Sequence, residues 1–284
     1  MNFTNYIPNQ FQSVLVYGPP KVGKTELVGE LAKQGMNLIW FDLENGVTTL
    51  TKLPVEAQQR IELISIPDTK EFPIAVETIE KVIKGNEVSI CHEHGKVSCH
   101  VCKTAGAEST TVKLSGLDTN TVVVFDSITQ LTASAISNIA SNKARPDDKF
   151  EFADWTKLGL VMENFLSKIQ QAKFHVVCIS HETEAEMEDG KNRLVPVAGT
   201  RNFSRNTAKF FAHVVYAQVT LGKHKFTSST TGLMSVSAGS RLGIVTETMA
   251  APSLISIFKN NLATPQTNGQ KSAGALASLL TVKK

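Results

Sequence analysis

Several kinds of residue or segment are scarce in this chain, and each shortage excludes a class of protein. No apolar run approaches the ~18 residues that a membrane-crossing helix needs, and no basic stretch with a short apolar core opens the sequence. The expectation is a cytoplasmic protein with no membrane partner. Four cysteines cannot staple 284 residues, and three of them share one twelve-residue window, which suits a metal better than disulfides. Charged residues are held to 19% while hydrophobic ones reach 42%, so the chain can bury a sizeable core and is not a disordered polymer.

The most localised shortage is of acid. Gly190 to Thr246 holds no Asp or Glu, yet carries Lys191, Arg193, Arg201, Arg205, Lys209, Lys223, Lys225 and Arg241. Residues 1–189 carry 25 acids against 17 Lys and Arg, whereas residues 190–284 carry one acid, Glu247, against 12. A phosphate-rich partner accounts for this division, because basic side chains neutralise phosphates and release counterions. The plainer alternative is a solvated basic face.

Apolar runs alternate with amphipathic segments, the pattern of a parallel sheet covered by helices. Strands are expected at Ser13–Tyr17, Asn37–Phe41, Ile61–Ile66, Thr121–Phe125, Phe174–Ser180, His213–Val219 and Ser253–Phe258. Helices are expected at Thr25–Gln34, Phe72–Lys84 and Phe152–Gln171. The predicted fold is α/β, with a mainly parallel twisted sheet. Its core spans residues 1–261, is interrupted by a Cys/His-rich insertion at 85–118, and is followed by a tail at 262–284. The tail opens on a polar linker, Thr264–Ala273.

Gly18-Pro19-Pro20-Lys21-Val22-Gly23-Lys24-Thr25 fits G-x-x-x-x-G-K-T, with a predicted strand before it and a predicted helix after it. Backbone N–H groups of such a loop form an anion nest with the helix N-terminus. Lys24 is expected on the β- and γ-phosphates of ATP, with the Thr25 hydroxyl on Mg²⁺. Val122-Val-Val-Phe-Asp126-Ser127 supplies the strand that ends in a carboxylate. Asp126 is expected to hold Mg²⁺ through water; otherwise it only caps a turn. Asp42-Leu-Glu44-Asn-Gly46 puts another carboxylate at a strand tip, where Glu44 would polarise the attacking water. A solvated acidic pair before Gly46 is the alternative.

Cys91-x2-His94-x4-Cys99-x2-Cys102 has the spacing of two chelating turns, and these four residues are the expected ligands of a structural Zn²⁺. His92 and His100 are alternates. A redox-active Cys99–Cys102 pair, or free thiols, would also fit. Cys178 belongs to a buried strand.

The motifs, in this order from about residue 12 to residue 258, resemble the RecA-type recombinase core. The chain is most similar to compact RecA-core ATPases of bacteriophages that act in single-strand annealing and recombination, which use "GPPKxGKT" and "DxENG"-like forms. The resemblance implies that Glu44 is the catalytic base. It places His181 at the position of a γ-phosphate sensor that is usually Gln, a departure. It implies a DNA-binding loop at Glu182–Arg205, in which Lys191, Arg193, Arg201 and Arg205 track phosphates and Phe203 stacks on a base. The acidic start of that loop suits a solvated turn, and a mobile basic loop without a ligand is the alternative. Thr129–Lys149, with Lys143, Arg145 and Lys149, corresponds to a first DNA loop. Asn206-Thr-Ala-Lys209-Phe210-Phe211-Ala212 matches the family's N-x-x-K-F-aromatic-A, which puts Lys209 and Phe210 near a protomer interface. Arg241 lies where the family has a cation reaching the neighbour's phosphates, or is an ordinary surface arginine.

The implied function is Mg²⁺-ATP-dependent binding of single-stranded DNA in recombination or annealing, by a filament or ring. Such a protein would work in the cytoplasm of a bacterial host. A helicase-like motor, a nucleotide-gated DNA-binding module without turnover and a small-molecule kinase are the alternatives. Ala275–Val282 either docks on a neighbour, a single-stranded-DNA-binding protein or a replication protein, or hangs loose.

Overall fold

The computed structural model describes residues 9–143, 149–228, 236–241 and 253–259. Arg145, the linker Thr264–Ala273 and the tail Ala275–Val282 lie outside the described residues. In chain order the elements begin β1 (Ser13–Tyr17), α1 (Lys24–Lys33), β2 (Asn37–Asp42), α2 (Val55–Gln58), β3 (Ile61–Ser65) and α3 (Ile74–Val82). The insertion holds β4 (Val88–Cys91), α4 (His100–Ala105) and β5 (Ser109–Val112). There follow β6 (Thr121–Asp126), α5 (Ile128–Ser141), α6 (Phe152–Gln170) and β7 (His175–Ser180). The basic part of the chain contributes β8 (Glu182–Glu186), β9 (Asn192–Pro196), α7 (Arg201–Ser204), β10 (His213–Thr220), β11 (Lys223–Thr227), β12 (Gly239–Ser240) and α8 (Ile255–Lys259).

Eight strands form one sheet in the order β11-β10-β1-β7-β6-β2-β3, with β12 paired to β10. From β10 to β3 every pairing is parallel, and β11 and β12 are antiparallel additions at one side. This is the expected mainly parallel α/β sheet. All residues of β6 and β7 are buried, which is why both read as unbroken apolar runs. One face packs on α1, α2 and α8 through residues such as Leu27, Leu31, Trp40 and Phe258. The other packs on α3, α5 and α6 through Ile79, Leu131, Phe165 and their neighbours.

Chain order and sheet order part at β1. The chain leaves it for β2, three places away, and later returns on its other side with β10. Such a switch point opens a crevice beyond the carboxyl ends of the strands, where open α/β sheets bind ligands.

Three expected elements require correction. Ser253–Phe258 is not a strand: Leu254, Ile257 and Phe258 are spaced 3 and 1 apart, and that side of helix α8 sinks into the α1 face. Thr129–Lys149 is not a loop over most of its length. Ser127 caps α5 by accepting from Gln130 N at 3.2 Å, and Ile128, Leu131, Ala135 and Ile139 bury one helical face. The acidic start of Glu182–Arg205 is not a solvated turn but strand β8, paired antiparallel with β9. Phe72 stands outside α3 and is 75% exposed.

The insertion is tied down at two points. Gly95 presses on the end of β3, where an added Cβ would lie 2.8 Å from Ile66 Cα, and Thr78 Oγ1 donates to Gly95 O at 2.8 Å. Next to it, Asp68 accepts from Ala75 N, Ser134 Oγ and Gln130 Nε2, joining the segment after β3 to α3 and α5.

Two histidines are sealed beneath the opposite edge. His175 Nδ1 accepts from Gln12 N at 2.9 Å, and His213 bonds Gln12 Oε1 and Ser240 Oγ. Burial lowers both to about 4, so they are neutral in the fold. Their unfolded forms take up protons below the ordinary histidine value near 6.5, so stability is full above that pH and falls as the pH drops towards 4. Denaturant melts should lose about 2 kcal/mol for each histidine between pH 7 and pH 5. A pH-independent midpoint across that window would contradict neutral burial.

Candidate active site

The register of the sheet gathers the site. Tyr17 pairs with Ser180, Ile179 with Asp126, and Asp126 with Asp42, so β1, β7, β6 and β2 end level at one edge. The residues just beyond those ends are the phosphate loop, His181, Ser127 and Glu44.

Gly18 is required by crowding, since a Cβ there would lie 2.1 Å from the Ala217 carbonyl oxygen of β10. Gly23 adopts φ +84° at the start of α1, in the left-handed region that favours glycine. Lys21 also takes a positive φ, of 64°. His224 of β11 braces the loop from the side, with Nδ1 2.9 Å from Val22 O. The contact joins residues 202 positions apart and has no local signal in the sequence.

Lys24 is 6% exposed, and its amine donates to the carbonyls of Gly18 at 3.0 Å and Pro19 at 2.7 Å. Burial lowers its pKa, against the pull of Glu44 and Asp126. Thr25 Oγ1 donates to Asp126 Oδ2 at 3.0 Å, joining the phosphate loop to β6 across the intervening strand. Burial, followed by repulsion from Glu44, pushes the Asp126 carboxyl up to about 7. A buried carboxylate beside a hydroxyl is an oxygen donor set for a hard cation, and a divalent ion would hold it ionised. The two residues therefore fit Mg²⁺.

Asp42 is buried and caps the turn after β2, accepting from Glu44 N and Gly46 N. That turn presents Glu44. Its Oε1 accepts from Ser127 Oγ, and its Oε2 lies 3.4 Å from His181 Nε2. Burial alone would raise the Glu44 pKa, but the hydrogen bonds from His181 and Ser127 and the charge of Lys24 outweigh it and hold the carboxyl below its ordinary value. His181 Nδ1 is 3.5 Å from Lys24 Nζ, so one imidazole touches both the lysine and the glutamate.

A family model described as an AAA domain matches residues 10–241. The chain belongs to that family. No curated protein matches this AAA-domain chain. Among solved structures it is similar to a RadB recombinase, at 16% identity over 76% of this chain and 79% of that one, with TM-score 0.40. It is also similar to a KaiC-like protein from the archaeon Pyrococcus horikoshii OT3, at 13% over 79% of each chain and TM-score 0.35. An ATPase from a type III secretion system of pathogenic bacteria gives 12%, 73% of this chain, 51% of that chain and 0.40. Likenesses this distant say nothing of what the AAA-domain chain acts on. Family and topology give a P-loop ATPase whose phosphate loop follows the strand at the switch point of a mainly parallel sheet.

The insertion of this AAA-domain ATPase brings Cys91, His94, Cys99 and Cys102 together, with all ligand atoms within 4.8 Å of one another. His94 Nδ1 lies 3.0 Å from Cys102 Sγ and 3.8 Å from Cys99 Sγ, near the ~3.5 Å separations that bonds of 2.0–2.3 Å give in a tetrahedron. Backbone N–H groups of Cys102 and Val101 lower the Cys99 pKa, whereas burial pushes the Cys102 thiol up to about 12. Four such groups fit Zn²⁺. The alternates stay outside: His92 bonds Thr110 and Glu108, and His100 opens α4.

The basic residues separate into two groups. Lys191 lies in the β8–β9 turn, and Arg193 pairs with Asp189 at 3.0 Å. Arg201 and Arg205 share a cleft of about 340 Å³ with Glu184 and Glu186. Phe203 packs at the margin of the core, with its ring 6.2 Å from that of Phe210, and is not a free stacking platform. Phe210 is 5% exposed and cannot itself form an interface, but it carries the Lys209 amine 4.9 Å above its ring. Arg241 donates to Lys209 O at 2.8 Å, and the two line a cavity of about 450 Å³ with Arg193. Arg241 bonds Ala212 at the amino end of β10, whereas the phosphate loop meets Ala217, five residues or about 16 Å further along.

Elemental analysis of the purified protein should find one zinc per chain, lost in the Cys99→Ser/Cys102→Ser variant together with protection of residues 85–118 from proteolysis. A metal-free preparation with the segment equally protected would contradict the ligand set.

Proposed function

We propose that this AAA-domain ATPase binds single-stranded DNA under the control of Mg²⁺-ATP, hydrolyses the nucleotide between protomers, and acts in homologous recombination or single-strand annealing of the phage type. The observation that carries the reading is the position of His181. Its ring meets Lys24 and Glu44 at the phosphate loop, and the next residue begins β8, the first strand of the hairpin that bears Lys191 and Arg193. A phosphate arriving beside Lys24 displaces contacts that His181 makes, and His181 O accepts from Val197 N at 2.9 Å where β9 ends. Nucleotide occupancy therefore bears directly on the hairpin.

Lys24 and the loop amides bind the β- and γ-phosphates. Thr25 and Asp126 hold Mg²⁺, which when bound neutralises charge on those phosphates. Glu44 takes the proton of the attacking water, and its lowered pKa keeps it ionised at neutral pH. His181 senses the γ-phosphate. Arg241 and Lys209 lie at the end of β10 remote from their own chain's phosphate loop, which supports their reaching the triphosphate of a second copy and with it a filament or ring. Cys91, His94, Cys99 and Cys102 hold Zn²⁺ in a closed site, which folds the insertion and does no chemistry.

Lys191, Arg193, Arg201 and Arg205 neutralise DNA phosphates, so binding weakens steeply with salt. Oligothymidine binding followed by fluorescence anisotropy should show a log–log salt slope of about −3, reduced by about 1 in Arg201→Ala, and tighter binding with a non-hydrolysable ATP analogue. Binding that ignores the analogue, or that has no salt slope, would contradict the reading. Tight DNA binding with no ATP turnover would leave a nucleotide-gated module instead.

A further inference from the structure

We propose that the first turn of α5 is a positioning device in which Ser127 fixes Glu44 and Thr129 fixes His181, so that one helix end sets both groups facing the γ-phosphate. The proposal rests on Glu44 activating the attacking water.

Ser127 is 1% exposed, and its hydroxyl makes two contacts. The oxygen accepts from Gln130 N as the helix cap, and the proton is given to Glu44 Oε1. A hydroxyl has one proton, so donation to Glu44 leaves the cap to the lone pairs. Two residues on, Thr129 Oγ1 accepts from His181 N at 2.8 Å and lies 3.3 Å from Ser180 Oγ. Ser180 Oγ in turn donates to His181 O or Val197 O, at 2.8 and 3.0 Å. The backbone on both sides of the sensor ring is thus held by hydroxyls.

Glu44 itself stands on the turn after β2, outside any helix or strand, with Asn45 at φ 54° beside it. Its direction is set by side-chain contacts from Ser127, which caps α5, and from His181, which stands between β7 and β8. The helix is well anchored for the task. Its buried face packs on the sheet, and Asp68 grips Gln130 and Ser134 from outside. A carboxylate that must meet a water within hydrogen-bonding reach gains from such a fixed donor, because small displacements lose much of the rate.

Steady-state phosphate release and binding of a fluorescent ATP analogue test this in the full chain. Ser127→Ala should cut kcat about 10- to 100-fold while analogue affinity stays within about 3-fold. Ser127→Thr should restore the rate, and Thr129→Val should slow turnover where Thr129→Ser does not. Ser127→Gly separates positioning from capping, since glycine costs little as an N-cap but carries no donor. The proposal predicts that Ser127→Gly is as slow as Ser127→Ala. A Ser127→Gly variant at the wild-type rate would overturn it, as would Ser127→Ala losing affinity and turnover together. Glu44→Gln serves as the reference. If it is inactive while Ser127→Ala runs normally, positioning alone fails; if it turns over normally, the base fails and the proposal with it.

Discussion

The parallel register of β1, β7, β6 and β2 is the constraint on which the site depends. Because Asp42, Asp126 and Ile179 lie side by side, and Ser180 beside Tyr17, groups distant in sequence leave the sheet at one level. Thr25 then reaches Asp126, Ser127 reaches Glu44, and His181 reaches both Lys24 and Glu44. A slip of one residue in any of these strands would turn its terminal side chains to the other face. In β6 that slip would also pull Phe125 away from Phe41 and Phe165, so core packing and site geometry are one requirement.

The charged groups at this edge are shifted in different directions by burial and by one another. Asp126 is raised by burial and by Glu44, and Lys24 is lowered by burial, each moving towards its neutral form. Both regain full charge when a cation and phosphates meet them. Glu44 moves the other way, held ionised by His181 and Ser127. Two carboxylates in one pocket thus differ in the direction of their shifts, which suits one to a metal and the other to a proton.

Much of this was legible in the sequence, for physical reasons that can be named. The phosphate loop is a contiguous backbone device, so its residues and their spacing nearly determine its shape. Cys91, His94, Cys99 and Cys102 likewise lie on two short turns, and the structure brings together the set that spacing indicated. Strands β6 and β7 announced themselves as continuous β-branched runs. What was hidden is long-range or ambiguous. His224 meets Val22 through strand pairing, and Ser127 meets Glu44 through sheet register. Helix α5 was obscured by small polar residues, Thr132 and Ser134, on its buried face. A short apolar run such as Ser253–Phe258 has no period that separates strand from helix, and its contacts with α1 decide the matter. The acidic lead-in of the basic segment was misread as a turn because its alternation is of charge rather than of apolar residues; in the fold, Ala185 alone of β8 is buried.

The measurement that bears most directly on the account is calorimetric titration of a non-hydrolysable ATP analogue with and without Mg²⁺. The geometry predicts at least about tenfold tighter binding with Mg²⁺ in the wild type, and loss of that gain in Asp126→Asn, since Thr25 and Asp126 are the oxygen donors beside Lys24. Equal affinity in the wild type with and without the cation would contradict it.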